Sequence, residues 1–415
     1  MLTVFYDSYS VLTKVYSQGA YITQALNSTP VEPLKRREIT KICYGVLDKD
    51  IELSYYISKL SPKQPKLAIR VLLKIALYSI IYLSKPEHAV INSVVELVKK
   101  LGKSGASGYV NGVLRNFVRN KIELPTNEIE LLSVKHSYPL FALKLLLNYY
   151  DKSLVEQIIS YDLAHNFVRF NSGVNGEEYL IERGFEFNKT PFLNLFDVKG
   201  RLLEEDYENG VYTYQSIGSV AISQIVGKGE KLIDVCSAPG GKSVALSENF
   251  NEIISCDVHE HRVELIKSYA QRMKKSNINA VLADATIFKS EFKNFFDKVL
   301  ADVPCSGFGT IKDNPDIKLN KKGENVDELC KIQLKILENV SKYLKVNGEL
   351  IYSTCSIFDS ENDCIIEKFL KNNNNFVVEK IDSPLNSLQK KYGLQFLPNL
   401  SYGAGFYVAK LKRIK

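Results

Sequence analysis

From about residue 210 onward, apolar runs alternate regularly with helical segments, and this alternation constrains the fold more than any other feature of the chain. The runs are KLIDVC (231–236), EIISCDV (252–258), NAVLADA (279–285), KVLADVPC (298–305) and GELIYSTCS (348–356). Strands that alternate with helices form a parallel sheet covered on both faces. Residues 208–415 are therefore predicted to be a doubly wound α/β domain, with FVVEKI (376–381) and GFYVAKLKR (405–413) as additional edge strands.

The first part of the chain shows the three- and four-residue apolar spacing of helices instead. Helical segments are predicted around 4–26, 35–60, 66–84, 89–101 and 107–120. Residues 1–125 are thus predicted to be a compact all-α domain, followed by a polar, Pro-containing linker at 121–137. Residues 138–207 are predicted to be a small α+β connector. Its predicted elements are helices at 140–150, 152–162 and 176–183, and strands at 167–171 and 192–198.

Positive charge is concentrated in the first third of the chain. Residues 1–130 hold 18 Lys and Arg against 11 Asp and Glu, whereas the remainder holds 36 of each. A basic region joined to a neutral one suggests a polyanionic partner. Arg115 and Arg119 lie four residues apart on one predicted helical face and add to this basic surface.

The seven cysteines are scattered, odd in number and not preceded by a secretory signal. This pattern predicts reduced thiols in a cytoplasmic protein rather than a disulfide framework. No C-x-x-C pair is present and the chain has five histidines, so no metal site is expected. The longest apolar stretch, Leu67–Leu83, is broken by Arg70 and Lys74, so we expect a buried helix and not a membrane span.

A ligand site is predicted where the parallel strands end, because ligands of such sheets bind at the carboxyl edge. The first strand leads into LIDVCSAPGGKS (232–243), whose two glycines let the backbone approach a ligand closely. Asp257, Asp284 and Asp302 end the next three strands, where carboxylates can accept hydrogen bonds from ribose hydroxyls and an amino group. The G-x-G-x-x-G fingerprint of pyrophosphate binding is missing. A nucleoside cofactor without pyrophosphate, S-adenosylmethionine, fits this pattern.

Two cysteines also lie at predicted strand ends, Cys305 in DVPCSG (302–307) and Cys355 in YSTCS (352–356). Most free cysteines are buried small apolar residues, and we expect this of Cys43, Cys330 and Cys364. At a ligand-binding edge, a thiol of lowered pKa can instead act as a nucleophile. Methylation of carbon 5 of a pyrimidine needs such a nucleophile, because a thiolate that adds to carbon 6 activates carbon 5.

LIDVCSAPGGKS, LADVPCSGFGT and YSTCS, in this order and spacing, resemble the RNA 5-methylcytosine methyltransferases of the RsmB/Sun (Fmu) family within the Nop2/Sun superfamily. KPEHAVINSVVELVKKLG (85–102) and GYVNGVLRNFVR (108–119) resemble the NusB-like domain of that family. The resemblance covers nearly the whole chain. It implies an RNA-binding NusB-like domain, an RRM-like connector, a Rossmann-like catalytic domain and small-subunit (16S) ribosomal RNA as substrate. We expect a monomer with no obligate protein partner.

The resemblance also implies roles for individual residues. Cys355 corresponds to the nucleophile and Cys305 to the second cysteine, which is needed to release the methylated product. Asp257, Asp284 and Asp302 match cofactor-binding positions, and Asp302 is also placed to hydrogen-bond the target base. The remaining cofactor-binding positions are those of the Gly-Gly segment: Cys236, Ser237, Ala238, Pro239, Gly240, Gly241 and Lys242.

Three segments depart from the family pattern. Gln215-Ser216 stands where Gln-Asp is common, NPDIKLN (314–320) lacks a following aromatic residue, and Gly403–Phe406 replaces the usual Asp-Gly-Phe. None of them touches the two cysteines or the Gly-Gly turn. These departures therefore bear on substrate contacts more than on the reaction.

Three alternatives remain open at the level of sequence. A non-catalytic RNA-binding or antitermination-type protein would account for the helical domain but not for the strand-end cysteines. A 5-methylcytosine methyltransferase could act on another RNA, such as tRNA. An amino-group methyltransferase would carry Asn/Asp-Pro-Pro-aromatic at the fourth strand end, whereas Pro304 is followed by Cys305 here.

Overall fold

The computed structural model describes residues 1–320 and 323–415, and within them the chain forms two compact units. One unit comprises Met1–Ser160 together with a segment that begins at Ile311. The other comprises Tyr161–Thr310 and Gly323–Lys415. No helix among the described residues is long and apolar enough to cross a lipid bilayer.

The first unit is helical, as predicted. Its helices up to Ser160 are α1 (Leu2–Gln18), α2 (Ile22–Asn27), α3 (Arg36–Asp48), α4 (Asp50–Leu60), α5 (Leu67–Ile81), α6 (Glu87–Lys100), α7 (Ser107–Arg119), α8 (Glu128–Lys135), α9 (Leu140–Leu147) and α10 (Lys152–Ser160). Helix α5 lies at the centre, since every residue from Val71 to Ser79 is buried. Lys74 within it is ion-paired with Asp50 of α4, so the one buried cation of this stretch has a carboxylate partner.

Two predicted helical segments are each divided in two. The segment 4–26 breaks after α1, where Gly19 adopts a left-handed conformation with φ 66° that ends the helix. The segment 35–60 breaks at Lys49, between α3 and α4. The predicted linker at 121–137 is wrong in part because α8 lies within it. Asn127 starts that helix, and its side chain accepts hydrogen bonds from the backbone N–H groups of Ile129 and Glu130.

From Tyr161 the chain alternates strands and helices. The elements are β1 (Phe167–Phe170), α11 (Gly176–Glu182), β2 (Phe187–Lys189), β3 (Leu195–Val198), α12 (Glu204–Glu208), β4 (Tyr212–Tyr214), α13 (Ile217–Val226), β5 (Lys231–Asp234), α14 (Gly241–Leu246), β6 (Glu252–Asp257), α15 (Glu260–Arg272), β7 (Ile278–Leu282), β8 (Phe296–Asp302), α16 (Ile317–Asn320), α17 (Gly323–Val340), β9 (Leu344–Thr354), α18 (Asp363–Asn372), β10 (Phe376–Glu379), β11 (Leu388–Gln389), β12 (Leu394–Phe396) and β13 (Phe406–Arg413).

The segment around α16 belongs to the helical unit. Lys318 is almost fully buried there, and its ammonium group donates to the backbone oxygen of Asp48 over 2.5 Å and to its carboxylate over 3.1 Å. Burial lowers the pKa of Lys318 to about 8, although Asp48 partly opposes this shift. The unusual NPDIKLN segment is thus packed against a helix more than 250 residues away in the chain.

A small antiparallel sheet in the order β2-β3-β1-β4 forms the connector. One face of it packs on α11 through a cluster of aromatic side chains, which includes Phe170, Tyr179, Phe196 and Tyr212. The strand β2 was not predicted, because the three-residue FNK segment carries no alternating apolar pattern. The boundaries of the three predicted domains, 1–125, 138–207 and 208–415, stay predictions.

The large sheet follows the order β11-β12-β13-β9-β8-β5-β6-β7, and β10 also pairs with β13. Strands β9, β8, β5, β6 and β7 are parallel to their neighbours among these five. Helices cover both faces, since α17 and α18 pack on one apolar layer and α13 and α14 on the other. The predicted doubly wound, Rossmann-like architecture behind a helical first domain is confirmed.

The C-terminal strand β13 is not the edge strand that was predicted. It pairs antiparallel with β9 on one side and with β12 and β10 on the other. Tyr407, Val408 and Ala409 are fully buried as a result. A strand buried on both faces reads as a continuous apolar run, and such a run does not reveal how many neighbours the strand has.

Candidate active site

Acidic side chains and two cysteines meet at the carboxyl edge of the parallel strands. Asp234, Asp257 and Asp302 are the last residues of β5, β6 and β8. Asp284 follows β7 by two residues and Cys355 directly follows β9. The predicted positions therefore share one edge of the sheet, as the parallel arrangement requires.

The Gly-Gly turn, which is the end of LIDVCSAPGGKS that contains Gly240 and Gly241, links β5 to α14. The backbone N–H of Ser237 donates to the oxygen of Cys256 on the neighbouring strand over 2.8 Å, and that of Gly240 donates to Ser237 over 2.7 Å. Gly240 has φ 105°, a conformation that side chains disfavour, so glycine is required there by the backbone. Ala238 and Pro239 are joined by a cis peptide bond. The turn thus presents backbone without a side chain at the end of the central strand.

A buried hydroxyl network lies beneath this turn. Ser243 donates to the Asp234 carboxylate over 2.8 Å and accepts from Ser255 over 2.7 Å. The other carboxylate oxygen of Asp234 has no hydrogen-bond partner among the described residues. Burial raises the pKa of Asp234 to about 6, although its bond from Ser243 opposes the shift. This second oxygen of Asp234 can therefore accept a hydrogen bond from a further donor.

Asp257 and Asp284 differ in their local bonding. The Asp257 side chain is 7% exposed; one oxygen accepts from the His259 backbone N–H over 3.0 Å, and the other lies 3.9 Å from the Arg262 guanidinium. In Asp284 one oxygen accepts from the N–H and the hydroxyl of Thr286, which closes a turn after β7. The acceptor groups at this edge fit a nucleoside such as that of S-adenosylmethionine, whose ribose hydroxyls and adenine amino group are donors.

We expect Asp257→Ala to weaken S-adenosylmethionine binding by roughly 1.5–3 kcal/mol, the cost of losing a charged hydrogen-bond acceptor. Isothermal titration calorimetry on the purified protein measures this. Asp382→Ala is the matched control, because the side chain of Asp382 is 89% exposed and pairs only loosely with Lys380. Equal affinity of the Asp257 variant and the control would remove Asp257 from the ribose contact.

The two predicted catalytic cysteines are adjacent. Cys305 follows β8, Cys355 follows β9, and their sulfur atoms are 3.0 Å apart. Both are free thiols that are partly accessible. The hydrogen bond with Cys355, followed by burial, raises the pKa of the Cys305 thiol well above its usual value. The geometry thus places two thiols within contact distance at the ends of neighbouring parallel strands.

Lys242 and Asp302 form an ion pair beside the cysteines. The Lys242 ammonium donates to Asp302 over 2.5 Å, and the other oxygen of Asp302 accepts from Ser353 over 2.7 Å. Burial by itself would lower the pKa of Lys242. The carboxylates of Asp302 and Asp234 and the thiol of Cys355 reverse this effect, so that the pKa is raised. A fixed positive charge therefore lies close to Cys355.

The other cysteines lack this setting. Cys43 is buried in the helical unit, where burial raises its pKa to about 12. Cys330 and Cys364 are partly accessible, so the expectation that they are buried is wrong for both. Cys330 donates to the backbone oxygen of Ser360 over 3.3 Å. Cys236, predicted to bind cofactor, has a pKa that burial raises well above its usual value. Cys236 also lies at a strand end, and the sequence distinguished Cys305 and Cys355 by the DVPCSG and YSTCS segments that contain them.

Two residues next to the site were missed. Gln215 donates to the backbone oxygen of Gly241 over 3.0 Å and accepts from Arg169 over 2.6 Å, which ties the Gly-Gly turn to β1. The expectation that the family departure at Gln215-Ser216 does not touch the Gly-Gly turn is therefore wrong. Glu361 is fully buried behind the two cysteines, and its position in the polar stretch DSEND gave no signal of burial.

Comparisons with known proteins show what the chain is similar to. The family model described as 16S rRNA methyltransferase RsmB/F matches residues 225–412, and the NusB family model matches residues 8–119. The chain is 29% identical over 432 residues to the probable ribosomal RNA small subunit methyltransferase B of Bacillus subtilis (strain 168), covering 97% of each chain. It is 27% identical over 396 residues to ribosomal RNA small subunit methyltransferase B of Escherichia coli (strain K12), covering 90% of this chain and 89% of the relative.

Solved structures show the same fold. The crystal structure of PH0851 superposes with a TM-score of 0.85 at 23% identity and covers 100% of this chain and 99% of its own. NSun6 from Pyrococcus horikoshii with SFG superposes with a TM-score of 0.58 at 17% identity, over 66% of this chain and 97% of its own. The first similarity extends over both the helical and the α/β parts.

Proposed function

Since the chain belongs to the RsmB/F family of methyltransferases and carries a NusB-family domain, we propose that it methylates carbon 5 of a cytosine in small-subunit ribosomal RNA. S-adenosylmethionine is the methyl donor in this proposal, and a covalent adduct with Cys355 is the route. The names of the curated relatives support the choice of ribosomal RNA.

One observation carries the cytosine-C5 chemistry: two partly accessible thiols lie 3.0 Å apart beside an ion-paired lysine, at the sheet edge that holds the Gly-Gly turn. An enzyme that methylates a nucleophilic nitrogen or oxygen needs no thiol. Carbon 5 of cytosine needs a nucleophile at carbon 6, and a second group must remove a proton afterwards. Paired cysteines match these two tasks.

The side chains would act in sequence. The Cys355 thiolate, near the positive charge of Lys242, adds to carbon 6 and moves the electron pair of the 5,6 double bond onto carbon 5. S-adenosylmethionine, when bound by the Gly-Gly segment, Asp257 and Asp284, supplies the electrophilic methyl group that carbon 5 takes up. Cys305, once its own proton has passed to solvent, accepts the proton on carbon 5. The C–S bond then breaks and Cys355 leaves as a thiolate.

Asp302 holds the base in this scheme. One of its oxygens is bonded to Lys242 and the other to Ser353, so its orientation is fixed before substrate arrives. A carboxylate held in this way can also accept a hydrogen bond from the exocyclic amino group of cytosine. Uracil carries an oxygen at that position and cannot donate, which supports cytosine as the base.

Bisulfite sequencing of small-subunit ribosomal RNA tests the proposed function. We expect one cytosine to be protected in the parent strain, unprotected after deletion of the gene, and protected again when the intact gene is returned. Return of a Cys355→Ala gene should leave it unprotected. Identical protection in the parent and deletion strains would contradict a ribosomal substrate, and the same comparison on tRNA would then decide between RNA classes.

We further propose that the basic face of α7 contacts RNA phosphates, since Arg115 and Arg119 are both exposed on it. The double variant Arg115→Ala/Arg119→Ala is expected to bind RNA more weakly and to lower the slope of log affinity against log salt by about 1–2. Filter binding over a salt series measures both. The exposed pair Lys380→Ala/Lys391→Ala serves as a control of equal charge. Equal slopes in the two double variants would remove this face from the RNA interface.

A further inference from the structure

Glu361 is a fully buried carboxylate behind the two cysteines. It ends a short 3-10 turn, Asp359–Glu361, between β9 and α18. One oxygen accepts from the backbone N–H of Ser306 over 2.8 Å and from the side-chain amide of Gln333 over 3.0 Å. The other accepts from the hydroxyls of Ser306 and Ser356, each over 2.5 Å.

These partners connect the carboxylate to both catalytic loops. Ser306 directly follows Cys305, and Ser356 directly follows Cys355. The two serine hydroxyls are themselves 3.2 Å apart. A single side chain therefore fixes the residue next to each thiol, from the side of the protein interior.

Neighbouring side chains complete the same support. Gln333 donates to the backbone oxygen of Pro304 over 3.0 Å, just before Cys305. The amide of Asn362 donates to the backbone oxygen of Ser356 over 3.1 Å, and its oxygen accepts from Thr354 over 2.6 Å. The residues on either side of each cysteine are thus held by buried hydrogen bonds.

Stability alone does not account for an anion in this place. Glu361 forms no ion pair with any residue in the ranges 1–320 and 323–415, so its charge is compensated only by neutral donors. Burying a charge is costly, and apolar packing of similar volume would usually stabilise a core at least as well. A buried polar network whose members all have hydrogen-bond partners rigidifies the groups that it joins and specifies one arrangement of them.

We propose that Glu361 is a positioning residue, which holds Cys305 and Cys355 at the spacing that addition and release require. This inference rests on the proposed methyl transfer. It assigns to Glu361 no contact with substrate or cofactor. Its effect is exerted through Ser306 and Ser356.

A glutamine at position 361 separates hydrogen bonding from charge. Its amide oxygen can accept from the Ser306 N–H and from Gln333, while its NH2 group donates to the two hydroxyls, which can accept. Glu361→Gln therefore keeps the support. Glu361→Ala removes it. Glu367→Ala is the matched control, because Glu367 lies on the following helix, partly exposed, and pairs with Lys391 over 3.2 Å.

The spacing of the Cys305 and Cys355 thiols can be measured by cross-linking, without RNA or cofactor. Dibromobimane becomes fluorescent only after it has alkylated two thiols a few ångströms apart, and peptide mass spectrometry identifies the bridged pair. We expect the intact protein, Glu361→Gln and Glu367→Ala to form the Cys305–Cys355 bridge at similar rates. Glu361→Ala should form it several-fold more slowly, with buried Cys256 unlabelled as evidence of a folded sheet.

Methyl transfer is then measured on the same proteins. We expect Glu361→Ala to lose about 10²-fold in kcat, as for a reacting group displaced by about 1 Å, with KM for S-adenosylmethionine unchanged. Glu361→Gln should stay within about tenfold of the intact protein. If Glu361→Ala does not fold, Ser356→Ala removes the hydroxyl that donates to Glu361 and accepts from the Phe358 backbone N–H. This variant should lower both the bridging rate and kcat.

The inference would be overturned if Glu361→Ala formed the bridge as fast as the intact protein and had the same kcat. The same holds for Ser356→Ala where that variant replaces Glu361→Ala. A higher KM with unchanged kcat would overturn it as well. If the intact protein forms the bridge but transfers no methyl group to RNA, the proposed function fails instead, and the two failures are distinguished.

Discussion

Replacement of Cys355 by alanine is expected to abolish methyl transfer to RNA, by at least about 10⁴-fold, and to abolish covalent capture of RNA. The reason is that Cys355 lies at the end of β9, with its sulfur 3.0 Å from that of Cys305 and the charge of Lys242 nearby. The Gly-Gly turn does not involve its side chain. Affinity for S-adenosylmethionine should therefore stay within about twofold of the intact protein.

Single-turnover transfer of a labelled methyl group to ribosomal RNA measures the loss, and calorimetry measures cofactor affinity. Cys364→Ala is the control, since Cys364 is another partly accessible thiol that lies on α18, away from the strand ends. Substantial turnover by Cys355→Ala would reject this residue as the nucleophile. Loss of cofactor binding along with activity would instead assign it to the cofactor site.

The sheet and its ligand edge could be predicted from the sequence because each rests on a local pattern. Apolar β-branched runs separated by helical segments allow few arrangements other than a covered parallel sheet. In such a sheet the carboxyl ends of the parallel strands lie at one edge. Once the strands were placed, Asp257, Asp302 and Cys355 had to come together, and the structure places them so.

Positions that depend on distant partners could not be predicted. The strand β13 has an apolar pattern that fits an edge as well as the interior, and only its pairing with β9, β12 and β10 decides. Lys318 looks like a surface residue in the sequence, yet it is buried against Asp48. Helix α8 was overlooked because it has only eight residues and its apolar residues do not follow a clear helical spacing.

Glu361 shows the same limit within the site itself. Asp359, Glu361 and Asp363 alternate in a polar stretch that is typical of an exposed loop. All of them are buried, because donors from three other segments of the chain surround them. A buried carboxylate is recognised by its donors, and spacing along the sequence does not show which donors will meet it.

Replacement of Cys305 by alanine is expected to give a different result from that of Cys355: RNA becomes methylated once but stays attached to the protein. Addition through Cys355 needs no thiol at position 305. Release needs a base for the proton on carbon 5, and the sulfur of Cys305 lies 3.0 Å from that of Cys355, next to the carbon that is attacked. Its removal should slow release by about 10²–10⁴-fold, the usual contribution of a general base.

Denaturing gel electrophoresis of Cys305→Ala protein incubated with ribosomal RNA and S-adenosylmethionine should show a slowly migrating band that ribonuclease removes. The Cys305→Ala/Cys355→Ala double variant is the control and should show no such band, because the adduct forms through Cys355. A single variant with neither a band nor a loss of turnover would make Cys305 a structural thiol. A band that persists in the double variant would show that another residue forms the adduct. The assignments of Cys355 as the nucleophile and of Cys305 as the base for release would then both be rejected.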